Sequence, residues 1–176
     1  MAVDPPREVC ERLAAWARVA VRGMAGGDAI RVLGPELLHV TLCFLGSRPA
    51  DEIDDLARRL SECERPAVEL SLGAPLWLPR RRPRALAVEV HDEDCQLERL
   101  QASVRSELEE GTEHGARRRF RPHVTVARRR GQDTARERAL PPTPAARFAV
   151  GEVVLYRSWL SPEGAGYEPL ASYALG

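Results

Sequence analysis

The stretch His39-Val-Thr-Leu-Cys-Phe-Leu-Gly46 is echoed later in the chain by His123-Val-Thr-Val-Ala-Arg128, and the two His-Val-Thr runs set the reading of the whole sequence. Both are apolar, β-branched runs of the kind that form strands. In a strand, residues i and i+2 share a face, so His39 and Thr41 share one and His123 and Thr125 share another, while Val40, Leu42 and Phe44 point the opposite way. Each strand therefore carries an imidazole and a hydroxyl on its open side and packs its other side on a core. If the halves of the chain meet about an approximate two-fold, the open sides converge on a single cleft. With five Thr in the chain, a given His meets one at this spacing about 3% of the time, so two hits among four His is roughly a half-percent accident.

Outward from these strands the chain alternates helical and extended signals. Asp4 before Pro5 and Pro6 reads as an N-cap with proline in the first turn, followed by the stripe Val9, Leu13, Trp16, Ala17 and Ala20 and a helix end near Gly23. IRVL (30–33) is a short strand and LLHVTLCFL (37–45) a long one, bounded by Gly46. A helix over about Asp51–Cys63, strands AVELSL (67–72) and ALAVEV (85–90), and a helix over about Glu93–Glu110 on Leu97, Leu100, Val104 and Leu108 lead to the second motif. A polar, Pro-rich connection (128–144) precedes two closing strands, RFAVGEVVLYRSWLS (147–161) and YEPLASYAL (167–175), separated by the turn PEGAG. Few amphipathic helices and many strands make this an α+β domain with helices outside a largely antiparallel core.

The 176 residues suffice for one domain with its own core. Acidic and basic residues balance at 26 each, but every base is Arg, since the chain has neither Lys nor Asn. The bases gather in Arg80–Arg84 and in Arg117–Arg130, the latter with seven Arg, where a phosphate-bearing partner would be drawn; solvated loops are the plainer account of such runs. Four scattered Cys suggest neither a disulfide framework nor a zinc knuckle. The amino terminus lacks a signal-peptide pattern and no stretch approaches a membrane span, so the reading is a cytoplasmic chain with no membrane partner.

Two imidazoles and two hydroxyls in one cleft suit in-line cleavage of a phosphodiester, which needs a base on one side and an acid on the other. Histidine's ordinary pKa near 6.5 lets one copy be neutral while the other is protonated. The hydroxyls donate to the non-bridging oxygens, and the scheme uses no metal or cofactor. A zinc site on His39 and His123 would want further ligands, with Cys43 the nearby candidate; His91 and His114 read as surface residues, and Ser158 and Ser161 lack a nucleophile-elbow context.

These motifs resemble those of the bacterial and archaeal RNA 2′,3′-cyclic phosphodiesterases, the 2′-5′ RNA ligase-like branch of the two-histidine phosphoesterase superfamily. PELLHVTLCFLG is similar to the first motif (His-x-Thr-x-x-Phe, then Leu-Gly), FRPHVTVAR to the second (Pro-His-x-Thr-x-x-Arg), RRPRALAVEV to the central strand entry, and VVLYRSWLSPEGAGYEPLASYAL to the carboxy-terminal hairpin. The resemblance implies a single bilobal domain over residues 1–176, two pseudo-symmetric halves with antiparallel sheets lining a central cleft. It implies hydrolysis of RNA 2′,3′-cyclic phosphate ends to a 2′-phosphate and a 3′-hydroxyl, with His39 as general acid, His123 as general base, and Thr41 and Thr125 on the phosphate. It further implies substrate contacts from Arg128, Phe44, Arg81, Arg121 and Tyr156, and a monomer. By strict alternation Arg128 points away from His123, so it must lie past the strand end to reach the site, and Phe44 reads as core. Only Met-Ala-Val precedes the Asp-Pro-Pro turn, so either the first strand is short or the true start lies upstream, and IRVL carries no aromatic ring. Other readings stay open: a binding module that holds an RNA end without turnover, a small cyclic or 2′-5′-linked nucleotide as substrate, and the reverse reaction, 2′-5′ ligation.

Overall fold

A computed structural model describes residues 1–24, 27–63, 65–79, 81–108, 120–129, 140–161 and 164–176. Arg80, His114, Arg117–Arg119 and much of the Pro-rich connection lie outside them. The strands are β1 (Ala2–Val3), β2 (Ile30–Val32), β3 (Val40–Thr41), β4 (Val68–Leu78), β5 (Ala85–His91), β6 (His123–Arg129), β7 (Arg147–Val150), β8 (Glu152–Ser161) and β9 (Gly164–Ala174). They form one antiparallel sheet in the order β7-β4-β5-β6-β3-β1-β8-β9, with β2 also on β6. The two His-Val-Thr strands, β3 and β6, are its central pair, with three strands continuing on either side.

The helices are α1 (Arg7–Arg22), α2 (Ile53–Ser61) and α3 (Gln96–Leu108). Val9, Leu13 and Ala17 of α1, Leu56 and Leu60 of α2, and Leu97, Leu100 and Val104 of α3 join Val40, Val88, Val124 and Val126 of the strands in one buried cluster. The helices thus pack on the sheet face that receives these valines, and the His-bearing face stays open. Each fully buried Leu or Val side chain contributes about 1.5–3 kcal/mol.

β7 and β8 are consecutive in sequence, joined by Gly151 alone, yet six strand spacings apart along the sheet. In a flat sheet that separation would be about 29 Å, which one residue cannot span. The sheet therefore curls into a half-barrel, and the Leu175 amide donating to the Gly151 carbonyl (2.9 Å) fixes the end of β9 at the same crossing. The sequence reads as one strand over 147–161 because both halves carry the same apolar pattern; no periodicity marks a change of partner.

The first motif's strand is also shorter than its apolar run predicts. Pro35–Leu37 form a 3-10 turn that separates β2 from β3, and beyond Thr41 the Leu42 amide turns to the Met1 carbonyl (3.0 Å). β1 is two residues long. Asp4 does not cap α1, whose N-cap is Pro6; its carboxylate accepts from the Tyr156 hydroxyl (2.5 Å) instead. Asp92 caps α3, accepting from the Gln96 and Glu98 amides (3.0 Å each), so the helix begins after Glu93. β4 runs on through Gly73 and Pro75, with a register shift between Leu72 and Pro75, the kind of irregularity at which a strand tolerates proline.

Candidate active site

Val40 and Val124 are register partners in the β3–β6 pair, and both are fully buried on the core side. One residue to either side, alternation puts His39, Thr41, His123 and Thr125 together on the opposite face, His39 facing Thr125 and Thr41 facing His123. The two imidazoles are then diagonal neighbours, about 7–8 Å apart at the backbone, and the two hydroxyls occupy the other diagonal. The convergence expected of two facing surfaces is reached more simply, on one face of one antiparallel pair with a local two-fold at Val40–Val124.

Each imidazole is held by the carbonyl two residues before it. Nδ1 of His123 donates to the Arg121 carbonyl oxygen (2.7 Å), which leaves Nε2 as the acceptor in the neutral ring. His39 bonds in the same way to the Leu37 carbonyl. Burial pulls the His39 pKa down to about 4; the Leu37 bond opposes this, while the positive charges of the amino terminus, Arg128 and His123 add to it. The unfolded imidazole titrates near 6.5, so between pH 6.5 and about 4 the unfolded chain binds the extra proton. The stability tied to this group is fully present above pH 6.5 and is lost as pH falls through that window, by about 2 kcal/mol at pH 4.5. Denaturant titrations at pH 7 and 4.5 should show a His39→Gln variant losing less on acidification than the wild type.

Arg128 belongs to β6 rather than to the loop beyond it, and it still reaches the site face. The β5 register steps from Ala87↔Thr125 to Leu86↔Ala127, so β6 carries one extra residue at Val126, a bulge. Val126 and Ala127 are both fully buried, and alternation restarts with Arg128 on the same side as His123 and Thr125. The expectation that Arg128 must lie past the strand end fails because the bulge shifts the parity by one. Across the ladder its partner is Arg31 of β2.

His39 and Thr41 line a cavity of about 400 Å³ with Phe44, Tyr156, Ser158 and Tyr167. Arg128 lines an adjoining cavity of about 640 Å³, which shares Ser158 and Tyr167 with the first. His123 and Thr125 stand on the same face, outside the walls of both. Among the described residues no group of three or more His, Cys, Asp or Glu side chains is placed to hold a metal ion, and no helix is long and apolar enough to cross a membrane.

The profile of the 2′-5′ RNA ligase superfamily matches residues 5–159, a span that contains both His-Val-Thr strands. The chain belongs to this superfamily. It is 32% identical to the RNA 2′,3′-cyclic phosphodiesterase of Thermus thermophilus over 183 residues, covering 99% of this chain and 88% of that one. The protein of that name from Escherichia coli K12 is 29% identical over 177 residues, covering 99% and 94%. Among solved structures, E. coli LigT complexed with 3′-AMP superposes with a TM-score of 0.82 at 26% identity, covering 99% of this chain and 95% of that one.

The remaining residues singled out by the superfamily resemblance distribute unevenly. Phe44 is 88% exposed on the rim of the His39 cavity rather than in the core, because β3 ends at Thr41 and strand alternation no longer governs it. Tyr156 sets its ring 6.1 Å from that of His39 and spends its hydroxyl on Asp4; burial and that carboxylate push the phenol's pKa up, so it stays a donor. Arg121 is exposed and forms an ion pair with Glu89, the register partner of His123. Arg81, exposed at the β4–β5 turn, lines neither cavity. Sequence reasoning missed Tyr167, whose ring meets His39 edge-on at 4.7 Å. The β8–β9 register pairs Tyr167 with Ser158, two residues beyond Tyr156, so a hairpin pairing of the last two strands was the signal that pointed to it. Glu89, Arg31 and Trp159 were missed as well, and only strand pairing brings them to the site.

Proposed function

We propose that this protein hydrolyses RNA 2′,3′-cyclic phosphate ends to a 2′-phosphate and a 3′-hydroxyl by paired general acid–base catalysis. The observation that carries the reading is the quartet on the β3–β6 pair, in which each histidine faces the other motif's threonine about a local two-fold. A phosphate over that two-fold has an imidazole on each side, as in-line displacement at phosphorus requires. The names of the Thermus and E. coli relatives support the same substrate.

In this scheme the attacking water loses its proton to Nε2 of His123, the nitrogen left free by the Arg121 carbonyl. The phosphorus–O3′ bond breaks and O3′ takes a proton from His39, while Thr41 and Thr125 donate to the non-bridging oxygens. One proton leaves water and one reaches O3′, and the two histidines end with exchanged charge, reset through solvent. With a 5′-hydroxyl in place of the attacking water, the same residues would form a phosphorus–O5′ bond as the phosphorus–O3′ bond breaks, which is 2′-5′ ligation.

His39 is neutral at pH 7 in the free protein, because its pKa lies near 4. Acting as the acid, it gains its proton together with the anionic substrate, whose charge offsets that of Arg128. Binding of adenosine 2′-phosphate at pH 7 should therefore take up a proton, read by calorimetry in two buffers of different ionisation enthalpy. A His39→Gln variant should bind without the uptake. Uptake that persists in His39→Gln would move the acid role to another group.

The activity itself is tested by incubating the protein, in EDTA, with a short RNA ending in a 2′,3′-cyclic phosphate and identifying the terminal phosphate formed. A 2′-phosphate is expected. Unchanged substrate that nevertheless binds would reassign the protein as an RNA-end binding module.

A further inference from the structure

The 640 Å³ cavity next to the histidines is bounded by β2, the end of β6 and the tip of the β8–β9 hairpin. Arg31 and Arg128 are register partners there, two cations side by side on one face of the sheet. Like charges directly opposite each other weaken a strand pair, so this placement is one that a bound anion would relieve. Trp159 lines the same cavity, 47% exposed although it is a large aromatic.

Two glycines of β9 shape this wall. A Cβ added to Gly166, the register partner of Trp159, would lie 2.4 Å from the indole Cε2. A Cβ on Gly164, whose φ of +129° already favours glycine, would lie 1.9 Å from Nη1 of Arg31. The indole and the guanidinium therefore lie directly on the hairpin backbone. A ring held in this way has lost its freedom before any ligand arrives, which lowers the cost of stacking on it.

An aromatic face with a fixed cation beside it is the chemistry that takes a nucleobase and the phosphate attached to it. Trp159 lines this cavity together with Arg128 and with Tyr167, whose ring touches His39, so the indole shares a wall with the candidate reacting site. Resting on the function proposed above, we propose that this cavity seats the terminal nucleotide of the RNA, its base stacked on Trp159 and its 5′ phosphate held by Arg31. The protein then selects an RNA end over a free cyclic nucleoside phosphate, since only the former carries that 5′ phosphate.

The test is calorimetric binding of adenosine 2′,5′-bisphosphate, adenosine 2′-phosphate and inorganic phosphate to the wild type and to folded variants, checked by circular dichroism. Trp159→Ala should weaken both nucleotides about tenfold or more and leave inorganic phosphate unchanged, with Trp159→Phe recovering most of the loss. Arg31→Ala should abolish the preference for the bisphosphate over adenosine 2′-phosphate. Gly166→Ala, which displaces the indole, should mimic Trp159→Ala if the latter is poorly folded. Wild-type nucleotide affinity in Trp159→Ala, or an intact bisphosphate preference in Arg31→Ala, would overturn the proposal. Binding does not depend on turnover, so a protein that shows this pattern but leaves cyclic ends intact would sink the hydrolase reading and keep the nucleotide seat.

Discussion

Replacing either His39 or His123 by alanine should lower turnover of a 2′,3′-cyclic phosphate RNA end by about 10²–10⁴-fold while leaving the fold intact. Both rings stand on the open face of the β3–β6 pair, and the packing there is carried by Val40 and Val124, which neither substitution touches. Because acid and base act in one step in the proposed scheme, removing the second should add little to the loss from the first. The check is single-turnover kinetics of the two single variants and the double variant, each verified by circular dichroism. Wild-type rates from either single variant would end the two-histidine scheme, and fully multiplicative losses would mean that the two rings act in separate steps.

Thr41→Val and Thr125→Val should each cost about 10²–10³-fold in kcat, the range for deleting one preorganised donor to a developing negative charge. Valine keeps the branched shape and the strand preference, so the change isolates the hydroxyl. Thr125 faces His39 and Thr41 faces His123 across the ladder, and in the proposed scheme each hydroxyl serves a phosphate oxygen between the rings. A fall in kcat with KM nearly unchanged is expected from paired steady-state measurements. Losses confined to KM would instead mean that the hydroxyls hold ground state and transition state alike.

Much of the site could be read from the sequence because its decisive features are local. Two identical tripeptides of period-two character fix which side chains share a face, and Val40, Leu42 and Val124 are buried as that rule requires. The rule fails where the backbone departs from regular alternation, and it does so at two positions of the candidate site. The extra residue at Val126 reverses the parity of Arg128, and the exit of the chain after Thr41 releases Phe44 to solvent. Neither event leaves a mark in composition. Long-range placement is harder still, since Arg31, Trp159 and Tyr167 reach the site only through the pairing of β2 with β6 and of β8 with β9. The change of partner at Gly151 was equally hidden, because strands on both sides of it are apolar.

The half-turn that relates His39 to His123 about Val40–Val124 carries a degeneracy with it. A cyclic phosphate seated over that point has two poses exchanged by the same rotation, one presenting O3′ to His39 and the other presenting it to His123. The histidines alone rank the two equally, and both poses break the same phosphorus–O3′ bond with acid and base exchanged. What lifts the degeneracy lies in the surroundings: the bulge delivers Arg128 to one side only, and Tyr156 and Tyr167 wall in His39 but not its counterpart. In the proposed scheme, which ring acts as acid and which as base is then a property of the irregular periphery and not of the symmetric motif it surrounds.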